Sequence, residues 1–170
     1  MKTFPSEAFT PKTGKLGQLI FENPDRGITP RLEFSVEIPF ESFELEDEEI
    51  STAVWLSGIR LGVKSWRELA ERTFDGKELE LIDGSMRLFD AMNPVEVQKL
   101  EFGAISGGNV SVKVEGEVDF EIEGDEDYGV VRINLSCELE IGGLRVATSI
   151  DKRLKSDEAA ITAEICDVVE

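Results

Sequence analysis

Five acidic side chains at every second position, Glu115, Glu117, Asp119, Glu121 and Glu123, form the densest set of chemically capable groups in the chain. Ionised carboxylates accept hydrogen bonds, attract cations and, in pairs at controlled separation, cleave glycosidic bonds. Val114, Gly116, Val118, Phe120 and Ile122 stand between them. The period of two is that of a strand, so the apolar set faces a core and the carboxylates line the other face, about 7 Å apart. Neighbours at that spacing repel by about 0.6 kcal/mol per pair in bulk dielectric before screening. So small a cost is compatible with a docking surface for a basic partner, and equally with a solvated face that deters foreign strands.

Other chemistries are narrower. The chain has no histidine, which removes Ser-His-Asp and Cys-His nucleophiles and the commonest transition-metal ligand. Neither G-x-G-x-x-G nor G-x-x-x-x-G-K-S/T occurs, so no phosphate cradle is expected. Cys137 and Cys166 have no metal or redox spacing, and Cys137 falls on the apolar side of its segment, as a buried thiol would. Asp125, Asp127 and Gly129 resemble the start of a calcium loop, but Ser136 stands where the closing bidentate acid belongs. An acidic hairpin tip is the expectation there, with no metal and no cofactor. Trp55 and Trp66 would suit sugar stacking, yet their apolar neighbours place them in the core. No catalytic residue is assigned.

The charge balance limits the partners. With 36 acids against 18 bases the formal charge is -18, which opposes DNA, RNA and anionic membranes and favours basic proteins. The opening residues lack the apolar stretch of a signal peptide, and no run is long enough to span a bilayer, so a cytoplasmic location is expected.

These residues need elements to hold them. Residues 1–16 read as an extended lead-in, with order beginning near Leu19. Leu32, Phe34, Val36 and Ile38 alternate with Arg31, Glu33, Ser35 and Glu37 as a strand up to Pro39, and residues 52–61 read as a buried strand. Six acids within 41–49 suggest a solvated connection. Ser65 and Glu68 form a capping box, which predicts one short helix over about residues 65–74. Leu79 and Leu81 precede an Asp83-Gly84 turn signal, which predicts a hairpin there.

The second half reads as a four-stranded meander. Ser106-Gly-Gly-Asn109 folds two strands together with Phe102 against Val112 and Glu101 against Lys113. Pairing Ile122 with Val131 aligns the next two, placing Glu121 against Arg132, Gly116 against Cys137 and Glu115 against Glu138. Ile141-Gly-Gly-Leu144 predicts a last hairpin. Alternation changes parity near Lys99, which predicts a β-bulge, and Ile161, Ala163 and Ile165 predict a strand over 157–169.

The expected fold is a single, mainly β domain over 1–170, an antiparallel sandwich or partly closed barrel. The expected function is a non-catalytic binding protein whose acidic face, Glu115 to Glu123, engages a basic protein in an inhibitor, immunity-type or adaptor role. Two alternatives stand beside it. One is a carbohydrate-binding or carboxylate-based hydrolytic β-sandwich, and the other is a structural subunit that self-associates as a homo-oligomer.

Overall fold

The computed structural model describes residues 2–123 and 126–147. Ten strands account for most of them: β1 (Gly14–Asn23), β2 (Ile28–Pro39), β3 (Phe43–Leu45), β4 (Glu48–Ile50), β5 (Ala53–Ile59), β6 (Thr73–Asp75), β7 (Asp83–Leu88), β8 (Ala91–Ser106), β9 (Asn109–Asp119) and β10 (Val130–Val146). Seven of these run in the order β8-β7-β5-β2-β1-β10-β9, and β9 pairs back onto β8, so the sheet is a closed barrel and not a sandwich. Closure pairs the strand edges that a sandwich would leave open. β6 continues along β8 beyond β7, and β3 with β4 forms a small separate hairpin. Every pairing is antiparallel except that of β1 with β10.

Alternation drives the inside-outside choice. Leu32, Phe34, Val36 and Ile38 point into the barrel from β2, and Val110, Val112, Val114 and Val118 point in from β9. Phe34, Phe74, Phe102, Phe120 and Met86 are fully buried, so the interior is filled by side chains.

The barrel end near the N-terminus is closed by aromatic rings. Phe4 stacks on Phe120 at 4.9 Å and on Phe9 at 5.1 Å, and meets Tyr128 edge-on at 5.4 Å. A polar clasp holds this plug: the Lys2 ammonium bridges Glu46 and Asp127, and the Tyr128 hydroxyl donates to Glu46 at 3.0 Å. Those bonds raise the Lys2 pKa and hold the Glu46 carboxyl below its ordinary value. The lead-in is therefore docked, with a 3-10 turn at Ser6–Phe9 in place of the expected extended segment, and the first strand begins at Gly14, ahead of Leu19.

Several expectations hold in detail. The two-residue loop Gly107–Gly108 joins β8 to β9, Phe102 faces Val112, Glu101 faces Lys113, and the register shifts between Val97 and Lys99. Others are corrected. The helix is one 3-10 turn, Trp66–Leu69, whose Ser65 hydroxyl accepts from the Arg67 amide at 3.2 Å. Glu71 then adopts φ 58° and the chain docks on β8, Phe102 N–H donating to Arg72 O at 2.8 Å, so Phe74 lies in a strand. Residues 43–50 fold into a hairpin because Phe43, Leu45 and Ile50 are buried against the core. Asp83-Gly84 lies inside β7, and the hairpin turns instead at Phe89 and Asp90.

The β9–β10 register differs from expectation by four residues: Val131 faces Val118, Gly116 faces Ile133, and Glu115 faces Asn134 rather than Glu138. Phe120 and Tyr128 are drawn into the end plug, which lengthens the connection and moves the pairing toward the loop-distal side. Ile141-Gly-Gly-Leu144 makes no hairpin, because β10 runs straight through it and pairs with β1. The strand expected at 157–169, and Cys166, lie outside the described residues.

Candidate functional site

The acidic run of the sequence does not survive as one rail. Glu115, Glu117 and Asp119 lie on the outer face of β9, while Glu121 and Glu123 are exposed in the turn that follows the strand. Asp119 starts that turn by accepting from the Glu121 amide at 2.9 Å. Basic residues lace what remains: Lys113 meets Glu115 at 3.0 Å, Arg132 meets Glu117 at 3.3 Å, and Lys99 meets Glu101 at 2.9 Å. One repulsive pair persists, since Glu96 stands directly opposite Glu117.

A different part of the outer wall carries more carboxylates than bases, and of these Glu37, Asp83 and Glu140 are in no ion pair among the described residues. Two bulges deform it side by side. β10 places Gly142 and Gly143 against the single Gly17 of β1, and β5 places Ser57 and Gly58, with Gly58 at φ 67°, against Ser35 of β2. Glycines and serines thus meet in one row across four strands, and the wall is hollowed over them to about 900 Å³. Gly17 leaves room for the Ser35 hydroxyl, which would have to turn aside for a Cβ there.

The register sets what borders the hollow. On one side Lys15 faces Glu140 and Glu37, and Glu37 faces Trp55, which in turn faces Ser85. Asp83 faces Ser57, one side-chain step along β7 from Ser85. On the other side Leu19 lies between Arg145 and Glu33. Glu33 is nearly buried and is clamped by two guanidiniums, Arg31 at 2.7 Å and Arg60 at 3.1 Å. That end therefore carries an excess of positive charge. Glu37, Asp83 and Glu140 form no ion pair among the described residues.

Of the two tryptophans expected in the core, Trp66 packs against it and Trp55 lines the outer hollow. Trp66 is half-buried against the core with the Arg67 guanidinium 4.8 Å from its ring centre. Trp55 is half-buried at the hollow and holds no cation over its ring among the described residues. The signal that finds it is parity: Val54 and Leu56 are buried on the inner face, so the residue between them projects outward.

Elsewhere the chemistry is sparse. A smaller dimple of about 400 Å³ lies over Gly103 and Ser111 with Cys137 at its wall. Burial pushes that thiol up to about 11, so it is protonated and a poor nucleophile near neutral pH. Among the described residues no group of three or more Cys, Asp or Glu is placed to hold a metal, and no helix is long and apolar enough to cross a membrane. No family model matches the chain, and searches of curated proteins and of solved structures likewise return no match.

Proposed function

We propose that the chain is a non-catalytic binding protein, acting in the cytoplasm, that engages a basic protein surface through the outer wall of its barrel, as an inhibitor, immunity-type protector or adaptor would. The observation that carries this reading is the hollow, bordered by Glu37, Asp83 and Glu140, none of them in an ion pair among the described residues, with a half-buried tryptophan in its wall. Side chains such as Phe34, Phe102 and Met86 fill the barrel interior, and the proposed contact accordingly lies on the outer wall. The formal charge of -18 draws a cationic partner toward it. On this reading Glu115, Glu117, Asp119, Glu121 and Glu123 contribute to the attracting field, and the hollow makes the contact.

The test is capture from the source cell's lysate at low and high salt with three proteins: wild type, E37Q/D83N/E140Q and E115Q/E117Q/D119N. A basic protein retained by wild type, lost by the first variant and kept at reduced level by the second is the expected result. Equal retention by wild type and the hollow variant overturns the assignment. Sedimentation at the same two salts reports whether the partner is a second copy of the chain. Trp55 also favours a second reading, a saccharide held against its ring beside the Ser35 and Ser57 hydroxyls. A salt-independent shift of tryptophan emission with a neutral sugar identifies that case.

A further inference from the structure

The hollow is not uniform, and its asymmetry names the group that it receives. We infer that the Trp55 end is a binding site for a single guanidinium side chain, held over the Trp55 ring between Glu37 and Asp83, so that one arginine of the basic partner anchors the complex. The inference rests on the reading above and goes beyond it by fixing the chemistry and the place of the anchor.

Three observations carry it. Glu37 is the direct cross-strand neighbour of Trp55, and Asp83 flanks it diagonally from β7 on the same outer face. Diagonal neighbours on one face lie about 7–8 Å apart, within reach of a long side chain laid between them. The two carboxylates hold no ion pair among the described residues, and Lys15, the cross-strand neighbour of Glu37, stands opposite it without closing one, so a cation arriving there breaks no existing bridge.

The second observation is how this protein treats its other aromatic rings. Arg67 covers Trp66 at 4.8 Å, Arg72 covers Phe74 at 5.2 Å and Arg31 covers Phe21 at 5.7 Å. Trp55 has the larger and more electron-rich ring and an acidic surround, the combination that favours a cation most. The third is the opposite end of the hollow, where Arg31, Arg60 and Arg145 outnumber Glu33 and repel a second positive charge. The Trp55 end, where Glu37, Asp83 and Glu140 outnumber Lys15, favours the cation. A guanidinium suits it better than an ammonium, because its plane stacks on the ring while its edge donates to a carboxylate.

The probe is a capped tripeptide, acetyl-Gly-Arg-Gly-amide, titrated into the full-length W66F protein so that emission reports Trp55 alone. Saturable quenching is expected. It should weaken about fivefold with lysine in place of arginine, and about tenfold when E37Q is added to the W66F background, at the coupling expected of a partly exposed cation and its aromatic and carboxylate neighbours. D83N, which leaves Trp55 and Glu37 in place, serves as a second variant should E37Q disturb the sheet, and circular dichroism of each confirms the fold. Quenching that does not saturate, or that is equal in W66F and in both carboxylate variants, overturns the inference. The two readings separate cleanly. Capture of a basic protein that survives W55L sinks the anchor and leaves the binding function standing, whereas peptide binding without any captured protein does the reverse.

Discussion

Replacing Phe4 with alanine tests whether the N-terminal segment is part of the barrel or merely leans on it. Phe4 is 8% exposed, stacks on Phe120 at 4.9 Å and on Phe9 at 5.1 Å, and meets Phe43 and Tyr128 edge-on at 6.0 and 5.4 Å. Transfer of the ring from water contributes about 1.5–3 kcal/mol, and favourable ring pairs add about 0.5–1.5 kcal/mol each. Core Phe→Ala changes cost about 3–5 kcal/mol when the surroundings cannot collapse. Phe4 sits on a segment that can detach locally, which caps the loss at the free energy of docking that segment. The expectation is therefore about 3 kcal/mol, near the low end of the core range. Urea unfolding followed by circular dichroism measures it as a fall in midpoint at unchanged slope. Deleting residues 2–9, which also removes Ala8, Phe9 and the Lys2 clasp, should cost at least as much as F4A. A loss below about 1 kcal/mol for F4A, with the slope unchanged, would refute the argument that the stacked rings close this end of the barrel.

Four further outcomes follow from the same geometry. G116A should lower stability by about 1–3 kcal/mol in urea unfolding, because a Cβ at this inward position runs into the Glu96 carbonyl and the Val97 Cα where β8 bulges over it. E96K should raise stability by about 0.5 kcal/mol by turning a like-charge cross-strand pair with Glu117 into an attractive one, read from the same unfolding curves. Cys137, with its thiol pushed up to about 11 by burial, should resist iodoacetamide at pH 8 and react only as pH approaches that value, followed by peptide mass spectrometry of this site. The Glu46 pKa is depressed by Lys2, so the clasp contributes above the ordinary carboxylate range and is lost as pH falls through the lowered value. Carboxyl NMR should place its midpoint below that of the same residue in K2A, and coincident midpoints would contradict the clasp.

Legibility of this fold in its sequence depended on how far apart the partners lie. The β8–β9 hairpin and its bulge were readable because Gly107–Gly108 is a local turn and the parity change near Lys99 is visible within a few residues. The β9–β10 register was not, for a physical reason: acids recur at every second position, so Arg132 meets a glutamate whether it faces Glu117 or Glu121. A slide of four residues also keeps every side chain on its own face. What selects the observed pairing is the end plug, in which Phe120 and Tyr128 join Phe4 from more than a hundred residues away in the chain. The Gly142–Gly143 pair misled for the same cause. It has hairpin chemistry, but a bulge against Gly17 in a parallel partner uses the same two residues. The hollow was half-visible: the parity of Val54 and Leu56 sends Trp55 outward, whereas the bulges that deepen the wall beneath it arise only on pairing.

The parallel seam between β1 and β10 has a consequence for how the protein is made. Lys15 pairs with Glu140, some 125 residues later, so the first barrel strand to leave the ribosome waits for nearly the last one described. At synthesis rates of about 5–20 residues per second the emerging chain spends several seconds with the free edge of β1 open to strangers, and a much shorter time with that of β9. Contacts of such long separation also form slowly once the chain is complete. During that interval the acidity already synthesised, 28 acids against 13 bases over residues 1–129, holds nascent copies apart while the seam is still open.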